Sequence, residues 1–295
     1  MGKVYVKFPK TGLGNMMLVW ARGVVFARLN DLDYVTSSWW GLRWGALLRQ
    51  EQRKRLYWGY FKETSWQKRI SLFISLVLSK KIFEPTVNKI VTRNSTKSIY
   101  IFNKVITDND LFGAIRNHKE IIANELDAIL TSKMKSKLKD YPIPVIGIHI
   151  RRGDFKMGNP ITPLSFFIEG IKLVRECAGS NLPVTVFTDA SKEEITDILQ
   201  LPNVSLAAPK PDILDIILLS KSKVLFLSKS SSFSYWGAFL SDALVVRPIN
   251  DWQKKIRESN DRSNYREFFF DETINETTKE FVAVINESLK NYQLV

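Results

Sequence analysis

Apolar residues fall in short runs along this chain, and the period of the runs switches repeatedly between that of a strand and that of a helix. Residues 3–8 alternate and predict a strand. Thr11-Gly12-Leu13-Gly14-Asn15 then makes a glycine turn, and residues 16–29 read as an apolar helix. Short strands are predicted at 34–37 and 99–103, followed by helical segments as far as residue 139. Beyond Pro142-Ile143-Pro144 the alternation becomes regular. Strands are predicted at 145–150, 184–188, 204–206, 224–227 and 244–246. Helices come between them. One opens at Thr162-Pro163 and closes near Gly179; one opens with the capping pattern Ser191-Lys192-Glu193-Glu194; one covers 212–221; and one starts at Tyr235. Strands alternating with helices imply an α/β fold, its parallel sheets covered by helices on both faces. The proline pair divides the chain into a domain at 1–142 and a second at 143–250, and residues 251–295 read as a polar helical tail.

Residues 39–83 interrupt this order as a basic, Trp-rich insertion. Trp39, Trp40, Trp44, Trp58 and Trp66 are interleaved there with arginines and lysines. The stretch 66–83 has an apolar centre, with Lys68, Arg69, Lys80 and Lys81 at its ends. Such a segment suits an interfacial helix on anionic lipid. It equally suits a core helix with solvated cationic ends. Basic residues among aromatics can also track single-stranded nucleic acid.

The 295-residue chain carries a net charge of +13, which points to an acidic partner: nucleic acid, an anionic membrane or a phosphorylated substrate. A single cysteine, Cys177, allows no internal disulfide and fits a reducing compartment; within a helix it reads as a small buried hydrophobe. His118 and His149 are too few for a His/Cys metal cage. The first residues read directly as a strand instead of a secretory signal, and no apolar run reaches the roughly 18 residues of a membrane span. A cytoplasmic location is therefore expected.

Candidate chemistry gathers at three predicted strand ends, which a parallel sheet brings to one edge. His149, Arg151, Arg152 and Asp154 follow the first, Thr188 and Asp189 the second, and Ser228, Ser230, Ser231, Ser232 and Ser234 the third. Guanidinium forks match phosphate oxygens and keep their charge. Amides at a helix N-terminus bind phosphate. The set reads as a nucleotide-diphosphate pocket. The plainer alternatives are an Arg–Asp pair at a strand end, serines that cap a helix, and Asp189 in a turn. The Gly12–Gly14 turn lacks the third glycine of a dinucleotide fingerprint and could serve only close helix–strand packing. Asp31 and Asp33 have the spacing of a metal–nucleotide motif but sit in a turn.

His149-Ile150-Arg151-Arg152-Gly153-Asp154 resembles the His-x-Arg-Arg-x-Asp motif of GDP-fucose-dependent fucosyltransferases. The segment 230–240, SSSFSYWGAFL, is similar to the Ser-Ser-Phe-Ser-Trp-Trp-Gly-Ala-Trp segment of the alpha-1,2-fucosyltransferase family. Gly12-Leu13-Gly14-Asn15 resembles that family's Gly-Leu-Gly-Asn-Gln-Met, and Phe187-Thr188-Asp189 its Phe-Ser-Asp. The four motifs occur in the family's order; residues 39–143 match none of them. Met16 stands for the family's glutamine, Ser228-Lys229 for Ala-Asn, and Tyr235 and Phe239 for tryptophans. The alpha-1,6 branch has a glutamate shortly after its arginine motif, whereas 155–159, FKMGN, has no carboxylate.

The resemblance implies a GT-B glycosyltransferase, with two Rossmann-like domains facing a cleft and the donor on the second. It implies inverting, metal-independent transfer of L-fucose from GDP-fucose to a glycan hydroxyl, without a cofactor. Arg151 would hold the β-phosphate, His149 and Arg152 would contact the nucleotide, and Asp189 would belong to the donor site. Asp215 would accept from guanine. Ser230, Ser231 and Ser232 would form the phosphate loop. Gly12, Gly14 and Asn15 would reach the donor from the first domain, and Asp154 would orient the arginines and is the candidate base. Bacterial surface polysaccharide synthesis on the inner face of the plasma membrane would fit, with a glycan or lipid-linked glycan as acceptor. The competing readings are a transferase of the same fold with another sugar nucleotide or linkage, a metal-dependent enzyme using Asp31 and Asp33, and a non-catalytic nucleotide- or nucleic-acid-binding protein.

Overall fold

The computed structural model describes residues 2–41, 56–91, 98–152, 161–259 and 263–291. The chain forms two compact units. The first ends at Asp140 and takes in Lys254–Arg257; the second runs from Tyr141 to Gln253 and resumes at Glu258.

The first unit is built on a parallel sheet of β1 (Lys3–Val6), β2 (Asp33–Thr36), β3 (Lys80–Phe83) and β4 (Ser98–Phe102), in the order β2-β1-β4-β3. Its helices are α1 (Leu13–Leu29), α2 (Trp66–Leu78), α3 (Lys119–Ile129) and α4 (Ser132–Leu138). α1 is apolar on nearly every side and is buried from Leu13 to Ala27 apart from Asn15. Gly23 lets it lie close on β1, since a Cβ there would come 2.5 Å from Val6 Cγ2. α2 starts after Ser65, whose hydroxyl accepts from the Lys68 amide, and it buries Leu72 against Val35, Ile99 and Ile101. The apolar stretch expected over 66–83 is thus two elements. After Ser79 the backbone extends, and Lys80–Phe83 pairs with β4 as an edge strand. Lys254–Arg257 is tied to this unit by the Lys254 amide on the Asn109 carbonyl (2.8 Å) and by Arg116 on the Lys255 carbonyl (2.7 and 3.0 Å).

Among the described residues the second unit holds six parallel strands: β5 (Ile146–Ile150), β6 (Val184–Thr188), β7 (Val204–Leu206), β8 (Val224–Phe226), β9 (Leu244–Pro248) and β10 (Arg266–Phe270). Their order is β10-β9-β8-β5-β6-β7. Its helices are α5 (Leu164–Ala178), α6 (Thr196–Leu199), α7 (Asp212–Leu219), α8 (Ser232–Leu240) and α9 (Asn275–Asn291). Every residue of β5 is buried, as its unbroken apolar run requires of a central strand. Several local expectations change: the helix expected to open at Ser191 becomes α-helical only at Thr196, and the one expected from Tyr235 starts at Ser232. α5 begins at Leu164 with Pro163 at the cap, and Thr162 Oγ1 instead accepts from the Lys229 amide at 2.9 Å. The tail is also not wholly helical: Arg266–Phe270 pairs with β9, and α9 buries Phe281, Ile285 and Leu289 in the same core. The run Phe268-Phe269-Phe270 has strand chemistry that its polar flanks hide.

The chain moves outward from β5 through β6 to β7, then returns to the other side of β5 and moves outward through β8, β9 and β10. The order therefore reverses between β5 and β8. In open α/β sheets the crevice outside the carboxyl ends at such a point is where ligands bind.

Candidate active site at the carboxyl edge of the second sheet

The exits of β5, β6 and β8 are stitched together by hydrogen bonds. Ser228 Oγ, after β8, accepts from the Arg151 amide at 2.9 Å and donates to the His149 carbonyl at 2.8 Å. Asp189, after β6, uses both oxygens. Oδ2 pairs with Arg151 Nη1 at 2.7 Å, and Oδ1 accepts from the Arg152 amide at 2.8 Å. One carboxylate thereby orients one guanidinium and fixes the backbone of the next arginine. Arg151 remains 21% exposed in its side chain, a cation held by Asp189 at the carboxyl edge of the sheet. Arg152 is buried, and its Nη1 donates to the Arg151 carbonyl at 3.1 Å. Burial pulls its pKa below the usual guanidinium value, opposed by the charges of Glu194 and Asp189. His149 is buried and stacks on Phe233, with centroids 5.1 Å apart.

The loop after β8 lies at the same edge of the sheet. Ser230 has φ +56°, a left-handed conformation that an L residue adopts at a cost. Its amide donates to Tyr235 Oη at 2.6 Å, and its hydroxyl accepts from Trp252 Nε1 at 2.8 Å. Ser231 occupies the cap position of α8, but its side chain makes no cap bond. Ser234 Oγ donates instead to the Ser231 carbonyl at 3.1 Å. The serines therefore do not act as ordinary helix caps, and they shape a loop whose end runs into a helix N-terminus.

Behind the loop lies a buried polar chain. Tyr235 Oη donates to Asp251 Oδ2 at 2.6 Å, and the same oxygen accepts from Arg247 Nε and Nη2 at 3.1 and 2.9 Å. Arg247 is wholly buried and also reaches Glu267 Oε2 at 2.7 Å and the Gln253 carbonyl at 2.8 Å. Tyr265 donates to Glu267 Oε1 at 2.6 Å. Burial, then the negative charge of Asp251, pushes the Tyr235 hydroxyl well above the ordinary phenol range, so it stays a neutral donor. Burial would depress Arg247, but Asp251, Tyr235 and Glu267 more than offset it and raise its pKa. Sequence reasoning missed this chain of residues. Its one visible signal was Arg247 at the end of the apolar run Leu244-Val245-Val246.

The remaining expected residues are dispersed. Asp215 lies in the first turn of α7, buried, with Lys210 Nζ 3.1 Å from Oδ1. Lys210 also lies over the rings of Tyr141 and Phe187, at 4.8 and 5.2 Å. Gly12, Gly14 and Asn15 belong to the first unit, where Gly12 caps α1 and Gly14 and Asn15 lie in its first turn. Asp154 lies outside the described residues. Asp31 has φ +50° in the turn before β2. Among the described residues no three His, Cys, Asp or Glu side chains group as a metal site would require.

The family model for glycosyl transferase family 11 matches residues 114–272. No curated protein matches the sequence. Among solved structures, the chain is similar to a NodZ alpha-1,6-fucosyltransferase soaked with GDP-fucose, with TM-score 0.52 and 12% identity over 86% of this chain and 98% of that one. It is similar to the fucosyltransferase NodZ from Bradyrhizobium, with TM-score 0.50 and 13% identity over 82% of this chain and 94% of that one. POFUT1 in complex with GDP gives TM-score 0.50 and 10% identity over 81% of this chain and 94% of that one. At these identities the likenesses establish the fold, the GT-B class of α/β architecture.

Proposed function

The chain belongs to glycosyl transferase family 11, and from that premise we propose that it transfers L-fucose from GDP-fucose to a glycan hydroxyl. We take the linkage as α-1,2 and the setting as bacterial surface polysaccharide synthesis in the cytoplasm. The observation that carries the reading is Arg151, held by Asp189 at 2.7 Å at the point where strand order reverses, beside the Ser230–Ser232 loop. The linkage rests on the resemblance of residues 230–240 and on the lack of a carboxylate at 155–159.

The acceptor oxygen attacks the anomeric carbon as the bond to the β-phosphate oxygen breaks. GDP leaves with the bonding electrons, and configuration inverts. Negative charge grows on the diphosphate, where the Arg151 guanidinium and the amides after Ser231 stabilise it. We assign the phosphate clamp to them and take the reaction as metal-independent. His149 and Arg152 contact the nucleotide, Asp215 accepts from guanine, and Gly12, Gly14 and Asn15 reach the sugar. The acceptor proton passes to a base, for which Asp154 is the candidate.

One observation favours a second reading. Asp215 is buried against Lys210 at 3.1 Å, so a guanine edge must share that carboxylate with a cation. A different base, and hence a different sugar nucleotide, would relieve this. Calorimetric titration with GDP, UDP and ADP, with EDTA present, separates the two. Tight GDP binding that is lost in Arg151→Ala and Asp215→Ala supports fucosyl transfer. Preference for UDP overturns the donor assignment and keeps the family.

A further inference from the structure

α2 carries two apolar faces, and among the described residues only one packs on the sheet. Leu72 is buried on the sheet with Leu76 packed beside it. Away from the sheet, Trp66, Ile70, Phe73, Ile74, Val77 and Leu78 are between 49% and 77% exposed. Trp66, Ile70, Phe73 and Val77 recur at the alternating four- and three-residue steps that keep side chains on one helical stripe. Phe83 in β3 is also exposed. A contiguous set of this size is what marks an interaction surface, since isolated exposed apolar residues need no explanation.

The charge around the stripe identifies its partner. Residues 56–83 hold exposed Lys62, Lys68, Arg69, Lys80 and Lys81 against the single carboxylate of Glu63. Glu63 is already paired with Arg69 at 2.9 Å. Lys68 and Arg69 lie in the first turn of α2, and Lys80 and Lys81 lie just past its end, so cations bracket the apolar face. A second copy of the same face would bring these cations against each other. An anionic bilayer offers an apolar interior and a negative surface in one partner. The 13-residue helix is about 20 Å long, too short to span a bilayer but suited to lying along it. Among the described residues no helix is long and apolar enough to cross a membrane. Trp66, at one end of the helix, has the amphipathic ring that settles at headgroup level.

We propose that α2 docks the protein on an anionic membrane surface. Trp66, Ile70, Phe73, Ile74 and Val77 enter the acyl boundary, while Lys68, Arg69, Lys80 and Lys81 meet the headgroups. Leu72 keeps its place on the sheet. This docking does not depend on which sugar is transferred.

Flotation of the full chain with vesicles tests it directly, comparing phosphatidylcholine alone with phosphatidylcholine containing phosphatidylglycerol. The expected result is partition into the anionic vesicles that falls as salt is raised and is weak on pure phosphatidylcholine. Phe73→Ser with Val77→Ser should lower that partition at least about 10-fold. Lys80→Gln with Lys81→Gln should weaken it and flatten the salt dependence. All four positions are exposed, so the thermal midpoint and nucleotide binding should stay at wild-type values, which separates lost docking from lost folding. No partition of the wild type at low salt overturns the proposal, and so does equal partition of the serine variant. A wild-type dimer that the serine variant turns to monomer, with no vesicle binding by either, overturns it in favour of a second copy.

Discussion

The amide of Ser230 donates to the hydroxyl of Tyr235 across 2.6 Å, and that hydroxyl in turn donates a hydrogen bond to Asp251 across another 2.6 Å. Tyrosine suits this position because its oxygen can accept and donate at once. An indole, which the resembling family segment carries here, can only donate. Ser230 is left-handed at φ +56°, a conformation costing about 1–2 kcal/mol in an L residue. Tyr235 in front of Asp251 and Arg247, with Trp252 on the serine hydroxyl, holds the loop in that conformation.

Tyr235→Phe removes the acceptor of one half-buried amide and the donor to one buried carboxylate. It should cost about 1–3 kcal/mol of stability. GDP affinity should fall with it, because the loop would be ordered only on binding. Denaturant unfolding and calorimetry on the same variant check both. Unchanged GDP affinity in a destabilised protein would separate the loop's conformation from the phosphate site.

Arg247→Met leaves Asp251 and Glu267 facing each other without the guanidinium that bonds both, at 2.9 and 2.7 Å. Removing one member of such a buried set costs about 3–5 kcal/mol. Urea unfolding should show a lower midpoint, with the extrapolated unfolding free energy reduced by that amount. A variant that also replaces Asp251 with Asn and Glu267 with Gln should recover part of the loss, because no unpaired charge then stays buried.

Arg151→Ala should lower the transfer rate by ~100-fold or more, by comparison with loss of one oxyanion-hole donor. Arg151→Lys should recover little, because an ammonium cannot pair with Asp189 and fork onto a phosphate together. Steady-state rates with GDP-fucose and a glycan acceptor, taken in EDTA, check this. A wild-type-like rate in the alanine variant would remove Arg151 from the mechanism.

Much of the second sheet was legible in the sequence, because β5, β6, β7, β8 and β9 are short apolar runs bounded by turn residues, and parallel pairing brings their ends to one edge. That is why the sequence alone groups His149, Arg151, Arg152, Asp189 and the serine loop. The tail was misread at Arg266–Phe270, where three phenylalanines between polar flanks give too short a run to reveal a strand. The Tyr235–Asp251–Arg247 chain stayed hidden for a different reason. Its members bond across a loop and a strand end, and no local period records that. Lys210 beside Asp215 escaped likewise, since a lysine whose side chain is 2% exposed looks like any surface lysine in the sequence. The stretch 66–83 left an interfacial and a core reading open, and its helix packs one apolar face on the sheet and leaves another exposed.

His118 precedes α3 and bonds Asn88 Oδ1 through Nε2 at 2.7 Å. Burial disfavours the charged ring and lowers its pKa below the ordinary histidine value. The folded state therefore takes up this proton at lower pH than the unfolded chain, whose histidine titrates near about 6.5. The stability linked to His118 is fully present above that value. It declines as pH falls towards the folded pKa and levels off below it. His118→Gln keeps a donor for Asn88 and removes the titration. Urea midpoints measured from about pH 8 down to about pH 5 should show the wild type losing more stability than the variant through this window. The carboxylates titrate alike in both proteins, so the difference isolates the histidine. Parallel curves would mean that the ring is solvated as well in the fold as in the open chain.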